Sequence, residues 1–143
     1  MRNIFPIILL LFFGFGCNKE GIQSKPALKV NSISSSKIFA GDDLEIRLQL
    51  TDQEGDFHDT IWVKKSTTSC NRSNFIDSNL FRIPSDLPRT KNFSGELILT
   101  MNYSIVLQPR CFASDTTTFS FWVKDAKGNK SDTVKTSQII ISR

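Results

Sequence analysis

Leu44-Glu45-Ile46-Arg47-Leu48-Gln49-Leu50-Thr51 alternates apolar and polar residues without a fault. Successive side chains of an extended chain point to opposite faces, so this stretch has one apolar and one polar face. It reads as a half-buried β-strand. The same period of two returns along the chain. Ile61 and Val63 share a face, as do Leu97, Leu99, Met101 and Tyr103 within Glu96 to Ile105, and Phe119, Phe121 and Val123 within Thr117 to Lys124. Lys29 to Ser34 reads as the first strand. Val134 to Ser142, ending in Ile139-Ile140-Ile141, reads as a last, well-covered one. Turn signals separate these segments at Ala40-Gly41-Asp42-Asp43, Gln53-Glu54-Gly55-Asp56 and Asp125-Ala126-Lys127-Gly128-Asn129. No window shows a helical period.

Six or seven strands with short turns predict an all-β domain over residues 27–143, an antiparallel immunoglobulin-like sandwich of about seven strands. Ser66 to Phe93 is long for a connection in such a fold. Its scattered Phe75, Leu80, Phe81 and Ile83 predict that it packs, with Leu80 to Ile83 as an edge strand.

Residues 1–16 read as an address. Met1-Arg2-Asn3 is a short basic start, and Ile4 to Phe13 is almost purely apolar. Ten or so apolar residues are too few to span a bilayer core of about 30 Å but suit a secretory signal. Gly14-Phe15-Gly16-Cys17 follows, and it resembles the bacterial lipoprotein signal, which implies acylation of Cys17. Several acyl chains anchor a protein without a transmembrane helix. The expected organisation is a signal peptide (1–16), an acylated Cys17 and polar tether (17–26), and one domain (27–143), lipid-anchored in the cell envelope, at the outer membrane. The domain would face the periplasm or the cell surface.

With Cys17 acylated, Cys70 and Cys111 remain, and an exported chain most simply joins them in a disulfide. The chain-entropy contribution of such a bond is about 4 kcal/mol before strain. Neither C-x-x-C spacing nor a second His supports a redox or metal reading of the pair.

Gly41-Asp42-Asp43-Leu44, Thr51-Asp52-Gln53-Glu54-Gly55-Asp56 and Phe121-Trp122-Val123-Lys124-Asp125-Ala126-Lys127-Gly128-Asn129-Lys130-Ser131 resemble a pattern found in the single-domain immunoglobulin-like lipoproteins of Bacteroidetes-type bacteria. More distantly the chain resembles cadherin-like and fibronectin type III modules. The resemblance implies surface exposure and binding, and carries no catalytic residue across.

Three constellations are candidates for chemistry. Trp62 and Trp122 fall on the parity opposite to Ile61/Val63 and Phe121/Val123, so both leave the core face. Exposed together, they would stack on sugar rings or a hydrophobic partner; the simpler reading is a covered cross-strand pair. Asp52, Glu54, Asp56 and Asp125 lie in two turns, and supply hard oxygen ligands for calcium if those turns share one end of the domain. The simpler reading is turn chemistry, since tight turns require Asp-Gly and Gly-Asn. His58 stands alone beside Asp56 and Asp59, with no nucleophile motif in the chain, so catalysis is not expected.

The formal charge of +4 carries little meaning alone. Arg2 is the sole charge in residues 1–16, and the remaining Lys and Arg are spread among strand faces and loops with no basic stripe interleaved with stacking aromatics, so nucleic acid is not expected as a partner. The expected function is binding of a carbohydrate or a protein partner in the envelope. The alternative is a structural or accessory protein without a ligand of its own.

Overall fold

A computed structural model describes residues 24–69, 73–111 and 114–143. Among them the chain is all-β apart from one π-helical turn at Tyr103–Leu107. Nine strands follow in order: β1 Ala27–Ile33, β2 Lys37–Ile38, β3 Asp43–Asp52, β4 Thr60–Ser69, β5 Ser73–Arg82, β6 Phe93–Asn102, β7 Ser114–Trp122, β8 Val134–Lys135 and β9 Ile139–Ser142. They form two sheets. One has the order β1-β3-β6, and the other β2-β9-β7-β4-β5 with β8 beside β7.

The alternation in β3 sets the frame. Leu44, Ile46, Leu48 and Leu50 are completely buried, while Glu45, Arg47, Gln49 and Thr51 face outward. β6 pairs with β3 along its whole length and adds Leu97, Leu99 and Met101 to the same side. From the second sheet, Ile61, Val63, Phe119, Phe121, Ile139 and Ile141 complete one continuous hydrophobic cluster. Burying such side chains, at roughly 1.5–3 kcal/mol each, is the main term holding the sheets together.

Four expectations change. Pairing is mixed, because β2 runs parallel to β9: the chain crosses from the first sheet to the second after β1, and Ser36 O accepts Ile140 N–H at 2.9 Å. Nine strands replace about seven among the described residues. The long stretch extends β4 to Ser69 and supplies β5, an edge strand as expected at Leu80 to Arg82 but reaching back to Ser73, so the connection to β6 shrinks to residues 83–92. β5 was hidden because its alternation is inverted: Ile76 and Leu80 are 58% and 67% exposed, whereas Asp77 and Asn79 take the inward parity. Finally, the segment read as one last strand breaks into β8 and β9, with Thr136 bonding both ways to the backbone of Phe119. Ile140 is left outward and exposed.

β1 begins at Ala27. The residues just before it already lie against the domain. Ser24 donates twice to Glu54, and Lys25 pairs with Asp132 at 2.7 Å. Cys17 and the rest of the expected signal and tether up to residue 23 lie outside the described residues, as does Cys70.

Candidate functional site

Trp62 and Trp122 are direct cross-strand partners in the antiparallel pair β4/β7. Both are half-buried and face outward, as their parity predicts, with Leu80 of β5 next to Trp62 in register. Lys124 sits over the Trp62 ring at 5.3 Å from its centroid, and Lys130 over the Trp122 ring at 4.5 Å. The turn after β7 creates this arrangement. Gly128 adopts φ 88°, Lys124 and Lys130 pair across the turn, and the second lysine is thereby folded back onto the ring two residues before the first. An ammonium over an indole face is attracted by the ring quadrupole.

The next row of the same face runs Ser78, Lys64, Ser120, Lys135 across β5, β4, β7 and β8. Arg82, at the outward end of β5, adds a further cation. Among the described residues, no Asp or Glu occupies an outward strand position of this sheet. The lysines are scattered in sequence and gathered only by register. A search for a linear basic stripe passes over them; the parity of Lys64 with Trp62 was the available signal.

The acidic turn is the second cluster. The bridge between Phe57 and Asp125, and the bonds His58 N–H to Lys124 O and Ala126 N–H to Asp56 O, bring the turns around Glu54 and Asp125 to one end of the domain. Only Asp52, Glu54 and Asp56 come together. The Asp125 carboxylate is committed to its own turn, accepting from Lys127 N–H, Asn129 N–H and Asn129 Nδ2 at 2.9, 2.7 and 2.6 Å. As a fourth calcium ligand Asp125 is therefore corrected to a turn former. Burial pushes the Asp52 carboxyl above its ordinary pKa, and the neighbouring Asp56 and Glu54 charges act the same way, against the bond from Glu54 N–H. Glu54 is held lower by its bonds from Ser24.

A third cluster escaped the sequence reading. Lys65 lies at the inward parity of β4, after Ile61 and Val63, and is 1% exposed. Its ammonium donates to Val106 O at 3.1 Å and Gln108 O at 2.9 Å, tying down the π-helical turn and the chain beyond it. Burial lowers its pKa, opposed by Asp77 and Asp115. Arg110 pairs with Asp77, and Asp115 accepts from the backbone N–H groups of Arg110 and Cys111. A cleft of about 290 Å³ opens beside Lys65, Asp77 and Arg110. Its charged groups Lys65, Asp77 and Arg110 are bonded to the chain or to one another, so it reads as the staple of the segment from Tyr103 to Cys111. Cys111 itself is disulfide-bonded.

His58 is half-exposed, its Nδ1 2.9 Å from Asp59, with its ring 5.8 Å from that of Trp62. It therefore extends the edge of the Trp face.

These features define an all-β protein of two packed sheets, one of which carries an outward aromatic and basic face. No protein-family model and no curated protein sequence matches the chain. Among solved structures it is similar to Spo0M, a sporulation control protein from Bacillus subtilis, at 8% identity and TM-score 0.47, over 84% of this chain and 50% of that one. It is also similar to a beta-glucosidase from Listeria innocua at 9% identity and TM-score 0.44, over 82% of this chain and 16% of that one. The chain thus spans half or less of the length of the structures it matches.

Proposed function

We propose that the chain is a cell-envelope lipoprotein whose immunoglobulin-like domain binds an anionic carbohydrate. The observation that carries the binding reading is the in-register pair Trp62/Trp122 with Lys124 and Lys130 over its rings, on a sheet face whose described outward strand positions hold no Asp or Glu. Indole rings offer apolar area to the faces of sugar rings, and the surrounding ammonium groups complement acidic substituents. The site then acts by binding, without a catalytic group.

The strand order supports the immunoglobulin-like reading. β1-β3-β6 corresponds to strands A, B and E, and β9-β7-β4-β5 to G, F, C and C′. The short β2 pairing parallel to β9 fits a first strand divided between the two sheets. The anchor rests on the sequence of residues 1–17. The Cys70–Cys111 disulfide is supported by Cys111 being bonded.

Two experiments test this reading. Mass spectrometry of the mature N-terminus is expected to find an acylated Cys17; an intact chain upstream of Cys17 contradicts the anchor. In an affinity gel, an acidic polysaccharide is expected to retard the full chain and its neutral counterpart is not. Equal retardation by single-stranded DNA or by anionic vesicles would reduce the site to a general polyanion surface. Retardation by none of them would leave the structural, ligand-free reading.

A further inference from the structure

We propose that Asp52, Glu54 and Asp56 form a binding site for a hard divalent cation, with calcium the ion that their chemistry fits best. One ligand oxygen from each of the three carboxylates lies within 4.8 Å of the others. Calcium bonds oxygen at 2.3–2.6 Å, so opposite ligands of one ion stand about 4.6–5.2 Å apart, and this spread fits inside a single coordination sphere. The donors are oxygen alone, which disfavours zinc and copper.

The cluster is more than a patch of surface acids. Asp52 is 3% exposed, and its Oδ2 is shut off from solvent without any hydrogen-bond partner. Asp56 Oδ1 is in the same position. Among the described residues, no ion pair reaches Asp52, Glu54 or Asp56. Two buried carboxylate oxygens without donors, beside a third carboxylate, are an expensive arrangement for an empty turn. A cation placed between them satisfies all three groups at once.

The backbone holds the turn ready. Gly55 has φ 71°, and a Cβ there would stand 2.3 Å from Thr90 O, so this position needs glycine twice over. Asn92 N–H bonds Gln53 O, and Ala126 N–H bonds Asp56 O, each at 2.8 Å, clamping the turn from both sides. Asp52 Oδ1 accepts Glu54 N–H at 3.2 Å, which orients that carboxylate while its other oxygen stays free. Both Glu54 oxygens accept from Ser24 and retain lone pairs for a metal. The ion would therefore lie where the incoming chain meets the domain, at Ser24.

Calorimetric titration of the full chain in detergent with calcium chloride, paired with thermal melts in calcium and in chelator, tests the site. Saturable binding is expected, with a melting temperature raised by on the order of 5–15 °C at a hundredfold excess over Kd. Asp52→Asn should abolish that increment while melting in chelator at or above the temperature of the parent chain, because it removes the unpartnered charge. Glu54→Gln, at a half-buried position, should weaken binding at least tenfold while the chain still folds. Asp132→Asn, whose carboxylate pairs with Lys25 elsewhere, should bind as the parent does. No heat and no melting shift up to about 10 mM calcium, or an increment that survives Asp52→Asn, overturns the site. Equal loss in Asp132→Asn would mark general charge screening and overturn it too. Carbohydrate binding at the Trp face is expected to be the same with calcium or chelator, so the two readings stand or fall apart.

Discussion

The outward faces of the two sheets are built from similar strands and differ in how their charges are settled. On the three-stranded sheet, Arg47 bonds Glu96 at 3.0 Å with Glu45 nearby, Asn31 also bonds Glu96, and Gln49 bonds Ser94. Its polar groups satisfy one another, and Glu96 is held as a carboxylate by Asn31 and Arg47. On the larger sheet the cations Lys64, Lys124, Lys130 and Lys135 have indole rings and hydroxyls as neighbours, and among the described residues no Asp or Glu stands at an outward strand position, Asp59 lying at the edge beside His58. Self-neutralised polar faces are content with water. A face of one charge sign around half-buried aromatic rings leaves its attraction to be met from outside.

The contrast can be broken by mutation. Replacing both Trp62 and Trp122 by Ala should weaken acidic-oligosaccharide binding by about 2–2.7 kcal/mol, roughly a thirty- to hundredfold rise in Kd by calorimetry. Changing Lys124 and Lys130 together to Ala should cost about 1–2 kcal/mol at low salt, and the difference from the parent chain should shrink as ionic strength is raised. On the opposite face, Arg47→Ala should leave binding unchanged and alter stability by less than about 1 kcal/mol in denaturant unfolding, because its pairs are exposed.

The inward lysine sharpens the comparison through pH. Burial lowers the pKa of Lys65, so the unfolded chain holds this proton more firmly than the folded one. Stability from this group therefore rises as pH climbs from the folded-state value toward the ordinary 10.5, and falls again as the ammonium forms. Lys65→Met should lose that alkaline rise, read as the difference between parent and variant melts across the window. The outward lysines, changed to Met, should leave it in place.

The sequence carried the frame wherever the period of two was clean. β3, β6 and β7 follow directly from their alternation, and the parity that put Ile61 and Phe121 inside put Trp62 and Trp122 outside. Legibility failed where a strand sits at a sheet edge or where contacts are made by register. β5 turns Ile76 and Leu80 to solvent and Asp77 and Asn79 inward, so only its end near Phe81 shows the alternation of a buried strand. Lys65 breaks the apolar run of β4 and is stabilised only by carbonyls some forty positions away, at Val106 and Gln108. Lys64, Lys124, Lys130 and Lys135 become one face only after three strands and a turn are paired. The acidic turn was legible as a candidate, but the separation of Asp125 from Asp52, Glu54 and Asp56 depends on hydrogen bonds that no spacing reveals.

Titration of the full chain at low salt with an acidic oligosaccharide and its neutral counterpart, followed by tryptophan fluorescence, tests the central claim most directly. Trp62 and Trp122 are the chain's two tryptophans, so the signal reports on the proposed face alone. The account predicts a saturable change with the acidic sugar, reversed by salt, and little or none with the neutral one. No change with either sugar, or an equal change with both that salt does not reverse, would contradict it.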